Sequence, residues 1–167
     1  LNLSEVTLSE AAALLDRPKG ADTTLYPDPF SLEVMELFVG SRKGESRGVV
    51  PFCIRDAASN LPVGDLLVSD WLKGSEKVGV GCSIVSGARS NGYASEALGA
   101  LFPYLFARGI RAITASTFVA HAASRRAMEK AGMLLYDVRS EQVDGVDALV
   151  ARYVIHAPHG ERDRPLR

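Results

Sequence analysis

Between Val50 and Ile155 the apolar positions of the chain switch between a period of two and a period near 3.6, the repeats of strands and helices. Val50–Arg55 and Val63–Val68 read as strands on either side of Ala57-Ala58-Ser59-Asn60, a short polar stretch with hairpin chemistry. Val78, Val80, Cys82 and Ile84 share one face of a further strand, and Gly79, Gly81 and Ser83 the other. Two glycines inside a strand weaken it, so close approach by another backbone or a ligand is a reason for their presence. The period then lengthens. Ala94, Ala97, Leu98, Leu101, Phe102, Leu105 and Phe106 fall on one side of a helix that Arg108-Gly109 closes. Pro103 lies inside that helix and removes a backbone hydrogen bond at a cost of about 3 kcal/mol, bending it; Gly99, four residues back, eases the clash. A strand over Ile113–Phe118, a helix over His121–Ala131, and a hairpin of Leu134–Val143 with Val146–Ile155 around Asp144-Gly145 complete the series.

The pattern before Val50 is sparser. Leu3–Leu15 predicts a short strand or cap followed by a helix that Asp16-Arg17-Pro18-Lys19-Gly20 ends. Asp28-Pro29-Phe30-Ser31 opens a second helix, with Val34, Leu37 and Phe38 at helical spacing, and Gly40–Gly48 is a polar loop. From Ala157 the chain is charged and proline-bearing, which predicts a flexible tail over residues 157–167 behind a single domain over residues 1–156. Because the chain begins at Leu1, a short preceding piece is expected.

Composition narrows the classes. The 167 residues suffice for one domain with a substantial core, and 47% apolar content argues against disorder. A formal net charge of -1 provides no footprint for nucleic acid or an anionic membrane. No apolar run approaches the roughly 18 residues that span a bilayer, and no signal-peptide pattern opens the chain, so a cytoplasmic location is expected. Cys53 and Cys82 both sit in strand-like apolar runs and read as core residues rather than as a disulfide or metal pair. His156 and His159 lack the further ligands of a metal site, so no metal is expected.

Candidate chemistry starts at Arg89-Ser90-Asn91-Gly92-Tyr93-Ala94, where the glycine-bearing strand meets the long helix. A helix N-terminus carries unpaired N–H groups and the positive end of the macrodipole. Gly92 allows close backbone approach, Ala94 leaves room, and Arg89 adds a charge, so the ligand implied is a diphosphate. No Gly-Lys-Ser/Thr follows, which excludes a Walker A loop, and the glycines of a dinucleotide fingerprint are missing. An ordinary strand-to-helix turn is the other reading of the same run.

About thirty residues on stands His121-Ala122-Ala123-Ser124-Arg125-Arg126-Ala127-Met128-Glu129-Lys130-Ala131-Gly132-Met133. Together the two segments resemble the acetyl-CoA core of the GNAT N-acetyltransferase superfamily over roughly residues 50–155, and the His121–Met133 segment is most similar to the RimJ/RimL branch. The resemblance implies an α+β GNAT fold, a mostly antiparallel twisted sheet of about seven strands with helices on both faces. Its first two helices would wall the acceptor groove. It also implies acetyl-CoA as cosubstrate, no metal, and direct transfer of acetyl to an amine acceptor, either a protein or peptide N-terminus or a small-molecule amine. Neither a nucleic-acid nor a membrane partner is implied, and a homodimer is compatible with it. His121 stands where the family usually has Asn, Met133 where it has Phe, and Met128 where many members have a catalytic Tyr. Those departures keep a non-catalytic acyl-CoA-binding module open as the alternative.

The resemblance also distributes roles. The glycine-bearing strand splays from its neighbour in the family, so Ile84 and Val85 would meet the pantetheine through their backbone. Arg89, Ser90, Asn91, Gly92, Tyr93 and Ala94 would hold the diphosphate, and His121 and Ser124 the pantetheine end. Ser124 is the expected proton donor to the CoA sulfur; a first-turn serine bonding its own backbone is the alternative. Glu141, just before Asp144-Gly145, is the expected base, acting through a water; a surface hairpin glutamate is the plainer reading. Asp70, Glu76 and Asp137 are further carboxylates within reach of an acceptor. A water-relayed carboxylate suits an α-amine with pKa near 8 better than a lysine amine near about 10.4. Arg125 and Arg126 read as solvated charges, with the CoA 3′-phosphate as a second use. Tyr26 and Trp71 either line the acceptor groove or pack in the core.

Overall fold

A computed structural model of the chain describes residues 2–5, 48–143 and 145–158. The elements in order are β1 (Asn2–Glu5), β2 (Val50–Arg55), β3 (Pro62–Ser69), β4 (Lys77–Ile84), α1 (Tyr93–Phe106), β5 (Ala112–Phe118), α2 (Ala122–Lys130), β6 (Leu134–Val143) and β7 (Val146–His156). The strands form one sheet in the order β1-β2-β3-β4-β5-β7-β6. Every neighbouring pair is antiparallel except β4 and β5, which run parallel, so the sheet is mixed rather than wholly antiparallel. A parallel pair needs a crossover, and α1 provides it.

Local chemistry explains these elements. The β2–β3 turn closes because Oδ1 of Asp56 accepts from the N–H groups of Ala58 and Ser59, with Asn60 in the left-handed region at φ 56°. Helix α1 runs unbroken past Pro103 to Phe106, because its buried stripe of Ala97, Leu98, Leu101, Phe102 and Leu105 outweighs one lost hydrogen bond. Gly109, at φ 90°, then turns the chain toward β5.

Alternation divides the sheet into two faces. Phe52, Ile54, Leu66, Val68, Val78, Ile113, Ala151 and Tyr153 face the stripe of α1 and Met128 of α2 in one buried cluster. Both described helices therefore share that face. The two helices expected before residue 40, the Gly40–Gly48 loop up to residue 47, Tyr26 and the tail beyond residue 158 lie outside the described residues, as does Asp144. At the sheet's lower end Ala157 N–H bonds the carbonyl of Arg111, so the ladder continues to the end of the described chain. No described helix is long and apolar enough to cross a membrane.

Candidate functional site

The site begins as a failure of strand pairing. β4 and β5 pair at Lys77/Ala112, Val78/Ile113 and Gly79/Thr114, and no further. Beyond that point β4 stays with β3 as far as Ile84, and β5 stays with β7 as far as Phe118. The two strands diverge, and Thr114 Oγ1 donates to the carbonyl of Val78 at 3.2 Å just at the apex. Register decides which backbone groups face the gap. Val85 N–H bonds Val63 O at 2.9 Å, so by alternation Ser83 and Gly81 also point to β3. Val80, Cys82 and Ile84 turn their N–H and C=O toward the open side. The expectation for Val85 is corrected by this: its N–H goes to Val63 and its carbonyl accepts from Ala88, so Val80 and Cys82 take over the exposed edge. Cys82 is exposed rather than part of the core, whereas Cys53 is buried as expected. Among the described residues a Cβ on Gly81 would meet nothing within 4 Å.

The gap leads to the turn before α1. A short 3-10 turn over Ser86–Ala88 delivers the chain to Arg89, whose Nε donates to the Ile84 carbonyl at 3.2 Å. Asn91 folds its amide back onto the carbonyls of Ala88 and Arg89. Ser90 at φ 65° and Gly92 at φ 81° both adopt left-handed backbone, and Gly92 is the N-cap of α1. No side chain caps the helix, and its first bond runs from Glu96 N–H to Gly92 O. The N–H groups of Tyr93, Ala94 and Ser95 thus point out of the helix end. Ser95 Oγ is occupied with Gly92 O, and no described residue lies within 4 Å of a Cβ built on Gly92. While the N–H of Tyr93 stays at the helix end, its hydroxyl donates to Oδ2 of Asp56 at 2.8 Å, across to the β2–β3 turn. Nothing in the local pattern of either segment signals that contact.

At the other strand's open end sits α2. His121 is its N-cap, with Nδ1 3.4 Å from the hydroxyl of the buried Thr117. Ser124 lies half-buried in the first turn, in line with the buried Met128. Its hydroxyl makes no hydrogen bond among the described residues, so it is not spent on its own helix. Arg125 is not a solvated charge: its Nε donates to Tyr153 Oη at 3.1 Å and its guanidinium reaches Val119 O at 3.4 Å. Tyr153, fully buried, in turn donates to Glu129 at 2.8 Å. The tyrosine beside it raises the pKa of Arg125 further.

Glu141 is on β6 opposite Ala148, on the face of the sheet away from α1. Arg152 pairs with it at 2.5 Å and with Asp137 at 3.9 Å, while Arg139 pairs with Asp137 at 2.6 Å. Glu141 in turn raises the pKa of Arg152. The β6–β7 ladder carries Glu141 past the end of β5, where Val119 N–H bonds Leu149 O. Ser124 therefore lies on the helix-bearing face, and Glu141 on the opposite face of the edge strand β6, with β7 between that strand and β5. Asp70, at φ 60°, follows β3 near the apex, and Glu76 accepts from the N–H groups of Arg111 and Ala112 through its carbonyl. Trp71 packs edge-on against Tyr104 at 6.2 Å, in favour of the core reading.

A family model described as an acetyltransferase (GNAT) domain matches residues 1–134. No curated protein matches the chain significantly. Spermidine N-acetyltransferase from Vibrio cholerae, solved in complex with CoA and spermine, is similar with a TM-score of 0.78 at 15% identity, over 93% of this chain and 94% of that one. An acetyltransferase of the GNAT family from Bacillus anthracis has a TM-score of 0.75 at 21% identity, over 92% and 93% of the two chains. At such identities the likeness is one of fold. The RimJ/RimL branch is not named in either; what these proteins share with the chain is the family level.

Proposed function

The chain belongs to the GNAT acetyltransferase family, and we propose that it transfers the acetyl group of acetyl-CoA directly to an amine bound beside it. The observation that carries this reading is the divergence of β4 and β5 beyond Gly79 and Thr114. It leaves the backbone of Val80 and Cys82 open to an extended arm that pairs as an added strand. The same edge runs to the uncapped N-terminus of α1, whose amides and macrodipole suit a diphosphate. No described residue comes within 4 Å of a Cβ built on Gly81 or Gly92, which fits both parts of such a ligand.

In this reading the neutral amine attacks the thioester carbonyl, the C–S bond breaks, and the amine proton leaves through a water to Glu141. Ser124, with its hydroxyl unspent, gives a proton to the departing thiolate and takes one back from solvent. His121 contributes its outer ring nitrogen to the pantetheine end, as the usual Asn amide would. The acceptor is an amine, and two kinds compete. Polyamines come first for testing because the similar Vibrio cholerae protein is named for spermidine; peptide N-termini follow, because an α-amine needs only a weak base.

Thiol release from acetyl-CoA, followed with dithiobis-nitrobenzoate over a panel of polyamines, amino acids and peptides, tests the proposal. Turnover on any amine supports it and names the class. CoA binding without turnover on every amine assigns the chain to the acyl-CoA-binding alternative.

A further inference from the structure

The turn that would hold the diphosphate is tied to β4 by Arg89 Nε on the Ile84 carbonyl, and its far end, where α1 begins, has a second tether. Two of its residues, Ser90 and Gly92, are in left-handed backbone, and α1 starts without a side-chain cap. Its polar side chains are turned inward: Asn91 bonds the carbonyls of Ala88 and Arg89, and Ser95 that of Gly92. The 2.8 Å hydrogen bond from Tyr93 Oη to Asp56 Oδ2 ties the first residue of α1 to the β2–β3 turn. Asp56 is itself immobilised. Its other oxygen accepts from Ala58 N–H at 3.1 Å, Ser59 N–H at 2.8 Å and the Ser59 hydroxyl at 2.9 Å. One carboxylate thus closes the β2–β3 turn with one oxygen and anchors α1 with the other.

We propose that Asp56 is a positioning residue for the acetyl-CoA diphosphate, acting through Tyr93 to hold the amides of residues 93–95 at the distance and angle the anion requires. The inference rests on the acetyl-CoA reading above. Its physical basis is preorganisation: amides already fixed before the ligand arrives lose no entropy on binding, whereas a swinging helix end does. The bond is charge-assisted, and hence stronger than a neutral pair. The hydrogen bonds from Ser59 and Tyr93 hold the Asp56 carboxyl at about 2, well below its usual range, so the anchor stays ionised throughout the pH range of any assay. The ring of Tyr93 also packs against the core cluster, so removing only the hydroxyl leaves the helix seated while freeing its end.

Calorimetric titration of CoA into wild type, Tyr93→Phe, Asp56→Asn and Ser59→Ala, with a thermal melt of each, is the test. Tyr93→Phe is expected to weaken CoA binding at least fivefold with its melting transition retained. Ser59→Ala loosens the β2–β3 turn but keeps the Tyr93 bond, so its CoA affinity should stay within twofold of wild type. Equal weakening in both variants means that the turn matters only as structure and overturns the positioning role. Unchanged affinity in Tyr93→Phe overturns it as well. Asp56→Asn keeps an acceptor for the turn amides and loses the charge; CoA affinity weakened by more than twofold with its melt retained supports the anchor, affinity equal to wild type overturns it, and this comparison decides the matter if Tyr93→Phe does not fold. Wild type that binds no CoA sinks the acetyl-CoA reading itself, a result distinct from all of these. With turnover established, the acetyl-CoA KM of Tyr93→Phe should rise while kcat and the acceptor KM hold.

Discussion

Ser124 and Asp56 show how far single side chains can be pressed. A serine in the first turn of a helix ordinarily bonds backbone nearby, yet the Ser124 hydroxyl has no partner among the described residues, and Met128 one turn on is buried and cannot donate. Ser124→Ala is therefore expected to lower kcat by at least about tenfold, with acetyl-CoA affinity within twofold, because a proton donor to the leaving thiolate acts in the transition state. Steady-state rates beside a CoA titration check this; an unchanged kcat with chemistry rate-limiting hands protonation to solvent. Asp56 yields a stability prediction. Its native carboxyl lies at about 2 against an ordinary 3.8, so the native state binds its proton less readily than the unfolded chain. The stability it contributes is present above about 4 and is lost as pH falls through about 2. Urea unfolding should find wild type more stable than Asp56→Asn at neutral pH, with the difference closing below about pH 4. These residues differ in how visible they are beforehand. Ser124 is legible from its place in a motif, whereas Asp56 and Tyr93 stand 37 positions apart and meet only in three dimensions. Arg125 illustrates the same limit: an arginine on a polar helix face reads as solvated until Tyr153, 28 positions away, is brought beneath it.

At the scale of elements, period and punctuation were informative where they are local. The alternation of Val78 through Ile84 predicts β4, and the Ala94–Phe106 stripe predicts α1 despite Pro103, because both signals need only neighbours in sequence. The divergence of β4 from β5 is not a local property: it depends on which strand lies beside which, and the two are joined by the whole length of α1. Two substitutions test the elements that result. Gly92 is at φ 81° with nothing within 4 Å of a built Cβ, so Gly92→Asp adds backbone strain and aims a carboxylate into the space of the proposed anion. CoA affinity should fall at least tenfold, about 1.4 kcal/mol, and Gly92→Ala, which brings strain without charge, should lose less. Calorimetry on the folded variants measures both. Tyr153→Phe instead probes α2: it strips the buried hydroxyl that accepts from Arg125 and donates to Glu129. Unfolding free energy should drop by about 1 kcal/mol in a urea titration, because two hydrogen bonds of a buried hydroxyl are lost while Glu129 turns to solvent and Arg125 keeps the Val119 carbonyl.

For the molecule as a whole, the proposed acid and the proposed base stand on opposite faces of the sheet. α2 carries Ser124 on the face with both described helices, and the β6–β7 hairpin carries Glu141 on the other. Glu141 is held ready by Arg152, which engages one carboxylate oxygen and leaves the second without a partner among the described residues. Glu141→Gln keeps an oxygen for Arg152 and removes the capacity to take a proton, so the hairpin should stay folded while the base is lost. A general base contributes typically 10²–10⁴-fold, and kcat/KM should fall by a comparable factor at neutral pH. The size of the deficit should then depend on pH in a way that packing effects do not. As pH rises, solvent deprotonates the amine and the carboxylate matters less, so the deficit should shrink through the pKa of the acceptor, near about 8 for an α-amine and near about 10 for a side-chain or polyamine nitrogen. A pH–rate series on wild type and Glu141→Gln with the best acceptor from the panel measures both quantities together. A deficit that shrinks near the acceptor's pKa identifies Glu141 as the base and reports the acceptor class. A deficit independent of pH makes Glu141 a substrate-positioning group, and no deficit transfers the role to Asp70, Glu76, Asp137 or solvent.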